Sequence, residues 1–138
     1  MRVHRLLKWF MAAIVVVACT SPIFVQAQNK TGTQFYQEYL AAFAKAKAIE
    51  DIFPYMAAEN RKQAESTPKA ERQQIFEMIK MLGHSDVKVV KEEPGAGGTT
   101  VLSVEGVDSD KKKSTGTVTL IKEGGAWKIQ KESWTTKA

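Results

Sequence analysis

Tyr36, Tyr39 and Tyr55 occur within a helically patterned stretch, Asp51 sits among them, and Trp127 stands near the end of the chain. Buried phenols need partners for their hydroxyls, so a group of them can line a cavity with a polar floor. A desolvated carboxylate in such a cavity can accept a proton. Tyr36, Tyr39, Asp51, Tyr55 and Trp127 are therefore the candidate pocket lining. The competing reading is plain core packing, with Glu50 and Asp51 only favouring the start of a helix.

Other chemistry is thinly supplied. Beyond residue 27 there is one histidine, His84, with no cysteine and no Gly-x-Ser-x-Gly motif. No catalytic residue is nominated, and His84, following Gly83, reads as a solvated imidazole at the negative end of a helix dipole. Asp108-Ser109-Asp110 lacks the glycine and distal glutamate of a calcium loop, so the aspartates read as turn formers. No metal and no cofactor is called for. Pro94-Gly95-Ala96-Gly97-Gly98 lacks the following Lys-Ser/Thr of a phosphate loop and leads into a strand, so it reads as a hairpin loop. Lys111-Lys112-Lys113 reads as a solvated run that discourages strand-edge pairing.

The elements that must hold these residues follow from periodicity. Phe35, Tyr39 and Phe43 fall four apart, with Tyr36 and Leu40 beside them, giving a helix to about residue 47 with Thr33 as its N-cap. A second helix is expected from Ile49, since Pro54 is tolerable only near a helix start. Thr67-Pro68 opens a third, whose core face is Ile75, Met78, Ile79 and Leu82 and whose end is Gly83. Beyond His84 the period becomes two. Strands are expected over 87–93, 99–107, 114–122 and 126–134, the last pair joined by a tight turn at Glu123-Gly124-Gly125. On the last strand, Trp127 and Ile129 share one face by alternation, and Trp134 falls on the other with Lys128 and Gln130. Phe35, Phe43, Ile75, Ile79 and Val89 are the expected core. Three helices followed by four hairpin-linked strands make an α+β domain with an antiparallel meander.

The N-terminus indicates where such a domain works. Arg2, His4, Arg5 and Lys8 precede an apolar run from Trp9 to Ala18, then Pro22 and Val25-Gln26-Ala27, the pattern of a secretory signal over 1–27. The run is shorter than the roughly 20 apolar residues of a membrane span. A single domain over 28–138 is then exported to the periplasm or beyond. Val16-Val17-Ala18-Cys19 offers a second reading, a lipobox with lipidation at Cys19, which would put the protein on a membrane. Removing 1–27 takes away Arg2, Arg5 and Lys8 but none of the 15 acidic residues of a chain whose formal charge is +5. The small positive excess that remains is a weak footprint for nucleic acid, and none is expected as partner. Asn29-Lys30-Thr31 matches a glycosylation sequon, relevant only in a eukaryotic secretory pathway.

Tyr36-Gln37-Glu38-Tyr39-Leu40, the segment from Ala46 to Met56, Asp86-Val87-Lys88-Val89-Val90-Lys91 and the ending Gly125-Ala126-Trp127-Lys128-Ile129 together resemble small exported bacterial proteins of unknown function. Those proteins are similar to the nuclear transport factor 2-like superfamily, a cone-shaped α+β fold. The resemblance implies three helices packed on a four-stranded meander around a cone. Ketosteroid-isomerase-like members use a pocket Asp base with a Tyr and a protonated acid. Tyr39 and Asp51 are of the right types, but no motif carries those roles over. The function expected is a non-catalytic binding or accessory domain of the cell envelope, taking a small ligand or a protein partner, with a homodimer left open. The alternative is a cone-pocket enzyme of the isomerase or dehydratase type.

Overall fold

The computed structural model describes residues 30–137, so the expected signal sequence over 1–27 and the lipidation expected as an alternative at Cys19 lie outside the described residues. Helix α1 (Gly32–Lys45) begins at a capping box in which the Thr31 hydroxyl accepts from the Gln34 N–H at 3.1 Å and Gln34 Oε1 accepts from the Thr31 N–H at 3.0 Å. The cap is thus two residues earlier than expected. Thr33 instead donates its N–H and hydroxyl to the Glu92 carboxylate, tying the helix start to the first strand. A 3-10 helix (Ile49–Tyr55) follows, then α2 (Ala58–Ser66) and α3 (Lys69–Leu82). The expected second helix is broken because Met56 bridges Ile129 of the last strand and the Ala57 N–H donates to the Ile129 carbonyl at 2.9 Å. Beyond the break, Glu123 accepts the first free N–H of α2, that of Ala58, at 2.9 Å.

Strands β1 (Ser85–Pro94), β2 (Thr100–Val107), β3 (Lys113–Glu123) and β4 (Ala126–Thr136) form an antiparallel meander in sequence order. The fold is the α+β arrangement expected, helices first and sheet second. The β3–β4 turn uses Gly124 and Gly125 with φ of 58° and 79°, the positive pair that a two-residue hairpin requires.

The core has two parts. Phe35 and Tyr36 of α1 lie on Leu102, Val104, Val118, Leu120 and Ile129 of the sheet, while Ala46, Ile49, Ile52 and Phe76 make a second cluster among the helices. Tyr39 and Tyr55 pack against both. Val89 packs at the edge of the first cluster and Phe43 at the edge of the second, each only half-buried.

Two further sequence expectations are corrected by the structure. On α3 the buried residue is Phe76, 1% exposed, whereas Ile75, Met78, Ile79 and Leu82 are all exposed, Ile79 at 46%. Polar docking sets this rotation: Lys80 donates to the Ala46 carbonyl at 2.7 Å, Gln73 to the Lys47 carbonyl at 3.0 Å, and Arg72 pairs with Glu50 at 3.1 Å. On β4 the register slips between Thr119 and Leu120, so that Thr119 faces Lys131 and Leu120 faces Ile129, leaving Gln130 as a bulge. The extra residue carries Glu132 and Trp134 onto the helix-covered face with Ile129. Trp134 is therefore an inner-face residue.

Candidate functional site

Because the apolar stripe of α3 turns away from the core, it forms the outer wall of a cleft against α1 and the distal half of β4. Two adjoining cavities, about 450 and 400 Å³, occupy it and share Tyr39, Phe43, Ile79 and Glu132 as walls. The larger opens toward the α3–β1 junction. Met78, Ile79 and Leu82 line one side, Tyr36, Tyr39 and Leu40 the other, and Glu132, Trp134 and His84 the sheet end. Its volume and apolar walls suit a small organic molecule.

Two polar side chains of this cavity converge on one carboxylate. Glu132 Oε1 accepts from the Tyr36 hydroxyl at 3.2 Å and from the Trp134 indole N–H at 2.7 Å. The Trp134 ring lies flat on the His84 imidazole, centroids 3.9 Å apart and planes 11° from parallel. His84 is thus half-buried against an indole and not simply solvated. The rings of Tyr36 and Tyr39 are stacked at 5.7 Å. The Asn60 side-chain amide donates to the carbonyl of bulged Gln130 at 2.7 Å, so α2, which buries none of its own residues, holds the kink that aims Glu132 inward.

The nominated residues divide. Tyr36 and Tyr39 line the cavity, and Tyr55 supports them from behind, its ring 5.8 Å from both Phe35 and Tyr39. Asp51 stands apart at the start of the 3-10 helix, exposed, with Oδ2 accepting from the backbone N–H groups of Lys47 and Ala48 at 2.8 and 3.1 Å. Those hydrogen bonds hold its carboxyl below the usual carboxylate range. Trp127 lies at the other end of β4 and donates its indole N–H to the Lys30 carbonyl at 2.7 Å. Glu132, Trp134 and His84 were not nominated. The available signal was spacing: Ile129 and Trp134 are large residues an odd number of positions apart, which on a strand with one buried face implies a bulge.

Burial pushes both the Tyr36 and Tyr39 phenols well above their ordinary value, and the charge of Glu132 adds to the effect. Unfolded, each phenol ionises near 10.0. Above that pH the unfolded chain sheds protons that the folded protein keeps, so the stabilisation is complete below pH ~10 and is lost as pH rises. Alkaline melts should lose about 1.4 kcal/mol per pH unit for each tyrosine. Replacing both with Phe should flatten that slope. An unchanged slope in the double variant would mean that these phenols are solvated.

Among the described residues no helix is long and apolar enough to cross a membrane, and no group of His, Cys, Asp or Glu is placed to hold a metal ion. The chain thus folds as an α+β domain with helices over one face of a four-stranded meander and an open apolar cleft between them. No family model and no curated protein matches it. Among solved structures it is similar to the solution structure of a SEC-C motif containing protein from Rhodopseudomonas palustris. The two are 12% identical over 81% of this chain and 85% of that one, with a TM-score of 0.56. At that identity the likeness is one of fold.

Proposed function

We propose that this is an exported binding domain of the nuclear transport factor 2-like kind, which takes a small apolar ligand in the cleft between α1, α3 and β4. The observation that carries the reading is the hydrogen-bonded group Tyr36–Glu132–Trp134 on the wall of a largely apolar cavity of about 450 Å³. Apolar walls supply most of the affinity for such a ligand, and a few convergent polar groups fix its orientation. The exposed side chains of Met78, Ile79 and Leu82 have a physical role in this reading, since a ligand would cover them.

A second reading is favoured by the same group. A carboxylate with two phenols beside it in an apolar cavity is the kind of set that a cone-pocket enzyme of the isomerase or dehydratase type would use for proton transfer. Binding is preferred because Glu132 is open to solvent and one of its oxygens is already engaged by two donors. Proton abstraction is served by a base shielded from water.

Titration of the protein with 1-decanol, followed by the methyl resonances of Met78, Ile79 and Leu82, tests the reading. Saturable shifts confined to the cleft are expected. Ile79→Glu, an exposed change that folding should tolerate, should weaken binding by about ten-fold or more. Asp51→Asn should leave affinity within a few-fold, because Asp51 stands outside the cleft. Absence of saturable shifts would defeat the binding reading. Turnover of a screened substrate that collapses in Tyr39→Phe and Glu132→Gln, with folding unchanged, would replace it with the enzyme.

A further inference from the structure

Glu132 has an unusual electrostatic position. It lines both cavities, yet it takes part in none of the ion pairs formed among the described residues, which are Lys30–Glu38, Arg61–Glu65, Arg72–Glu50 and Lys91–Glu93. Its Oε1 is fixed by Tyr36 and Trp134, whereas Oε2 accepts no hydrogen bond from the described residues. Neither lysine nor arginine lines the larger cavity. Arg72 and Lys131 line the smaller one. Arg72 pairs with Glu50 and donates to the Ala64 carbonyl while its buried Nε has no partner, and neither cation forms an ion pair with Glu132. A carboxylate facing apolar surface without an ion-pair partner is the half of an ion pair that a ligand can complete.

The surroundings of that carboxylate sharpen the choice. The rings of Tyr36, Tyr39 and Trp134 border it, and aromatic faces attract organic cations through their quadrupoles. The same faces offer nothing comparable to an anion, which the Glu132 charge would repel.

We propose that the Glu132 end of the cleft receives a cationic head, so that the ligand is an organic ammonium ion carrying an apolar chain or ring. The head sits between Glu132 Oε2 and the aromatic rings, and the apolar part runs along Met78, Ile79 and Leu82. The proposal rests on the binding reading above and adds charge selectivity to it.

Three probes of equal chain length separate the two readings: decylammonium, 1-decanol and decanoate, each below its micelle concentration and titrated calorimetrically into the full chain. Decylammonium should bind about ten-fold more tightly than decanol, and decanoate more weakly than either. In Glu132→Gln the cation should fall to within about two-fold of decanol measured on the same variant. The advantage of the cation in the unaltered protein should also shrink in about 1 M salt, where the Debye length is about 3 Å and the open cleft admits ions. That second measurement needs no variant to fold. Equal binding of the three probes, or a preference for decanoate, would overturn the cationic head and leave the apolar cleft standing. Binding of decylammonium that ignores both salt and Glu132→Gln would overturn it as well. Failure of all three probes to bind would remove the cleft reading and this proposal together.

Discussion

Truncation of Phe76 to Ala is expected to cost about 3–5 kcal/mol, the range for a fully buried aromatic. Phe76 is 1% exposed, meets Phe43 edge to face at 5.8 Å, and is the one α3 residue inside the helical core cluster. Without it α3 keeps chiefly its polar ties, Lys80 to the Ala44 and Ala46 carbonyls, Gln73 to the Lys47 carbonyl, and Arg72 to Glu50 and the Ala64 carbonyl. Each hydrogen bond in this set contributes roughly 1 kcal/mol net, and the Arg72–Glu50 ion pair is partly exposed and of similar worth. The outer wall of the cleft should therefore loosen along with the fold. Ile79→Ala on the same helix removes an exposed side chain and should fall within about 0.5 kcal/mol of the unaltered protein. Phe43→Ala, which periodicity alone would put at the full 3–5 kcal/mol, should cost well below that because Phe43 is only half-buried. Urea melts of the three variants decide the order. If Ile79→Ala proved more costly than Phe76→Ala, the helix would be packed on its apolar stripe and the cleft would be closed.

That comparison shows where the sequence was legible and where it was not. The change of period at Gly83 and the Gly124-Gly125 turn are local signals that appear in the fold because backbone geometry enforces them. Helix α3 starts beside Thr67-Pro68 as expected, although Pro68 is its N-cap and the Thr67 hydroxyl donates back to the Gln63 carbonyl instead of capping it. The rotation of α3 is not local. A stripe of Ile75, Met78, Ile79 and Leu82 has the same spacing whether it meets a core or an open cleft. What turns it outward is a set of hydrogen bonds to carbonyls at the end of α1 and just beyond it, which no periodicity encodes. The tyrosines were legible as pocket lining because they sit on a well-patterned helix. Their partner carboxylate was not, because Glu132 reaches the inner face only through a one-residue slip in β4. Asp51, the acid nearest to those tyrosines in sequence, is occupied by the backbone at a helix start. Nearness along the chain was a poor guide to the acid, and the odd interval from Ile129 to Trp134 would have been a better one.

Gly116→Ala is expected to damage both the fold and the site, and for a reason that links them. Gly116 stands directly across from Trp134 in the β3–β4 register, and its missing side chain is the space in which the indole lies. A Cβ there would be 2.6 Å from the Ser133 carbonyl oxygen and 2.8 Å from Trp134 Cδ2, both closer than real contacts allow. Backbone and ring must therefore move, and overpacking of this kind typically costs about 1–3 kcal/mol. The displaced indole would also leave Glu132, since the same ring that covers Gly116 donates to the carboxylate at 2.7 Å and stacks on His84. Affinity for decylammonium should then fall by about ten-fold, with decanol less affected. Gly106→Ala, in the neighbouring strand under the far edge of the same indole, meets its neighbours only at 3.2–3.3 Å and should give a weaker version of both effects. The readouts are a denaturant melt and the indole N–H resonance of Trp134, which should shift as it exchanges a carboxylate acceptor for water. A Gly116→Ala protein of unaltered stability with an unmoved indole resonance would mean that Trp134 does not lie over the glycines. The bulge at Gln130 would then not deliver Glu132 to the cleft, and the binding site as drawn would have no floor.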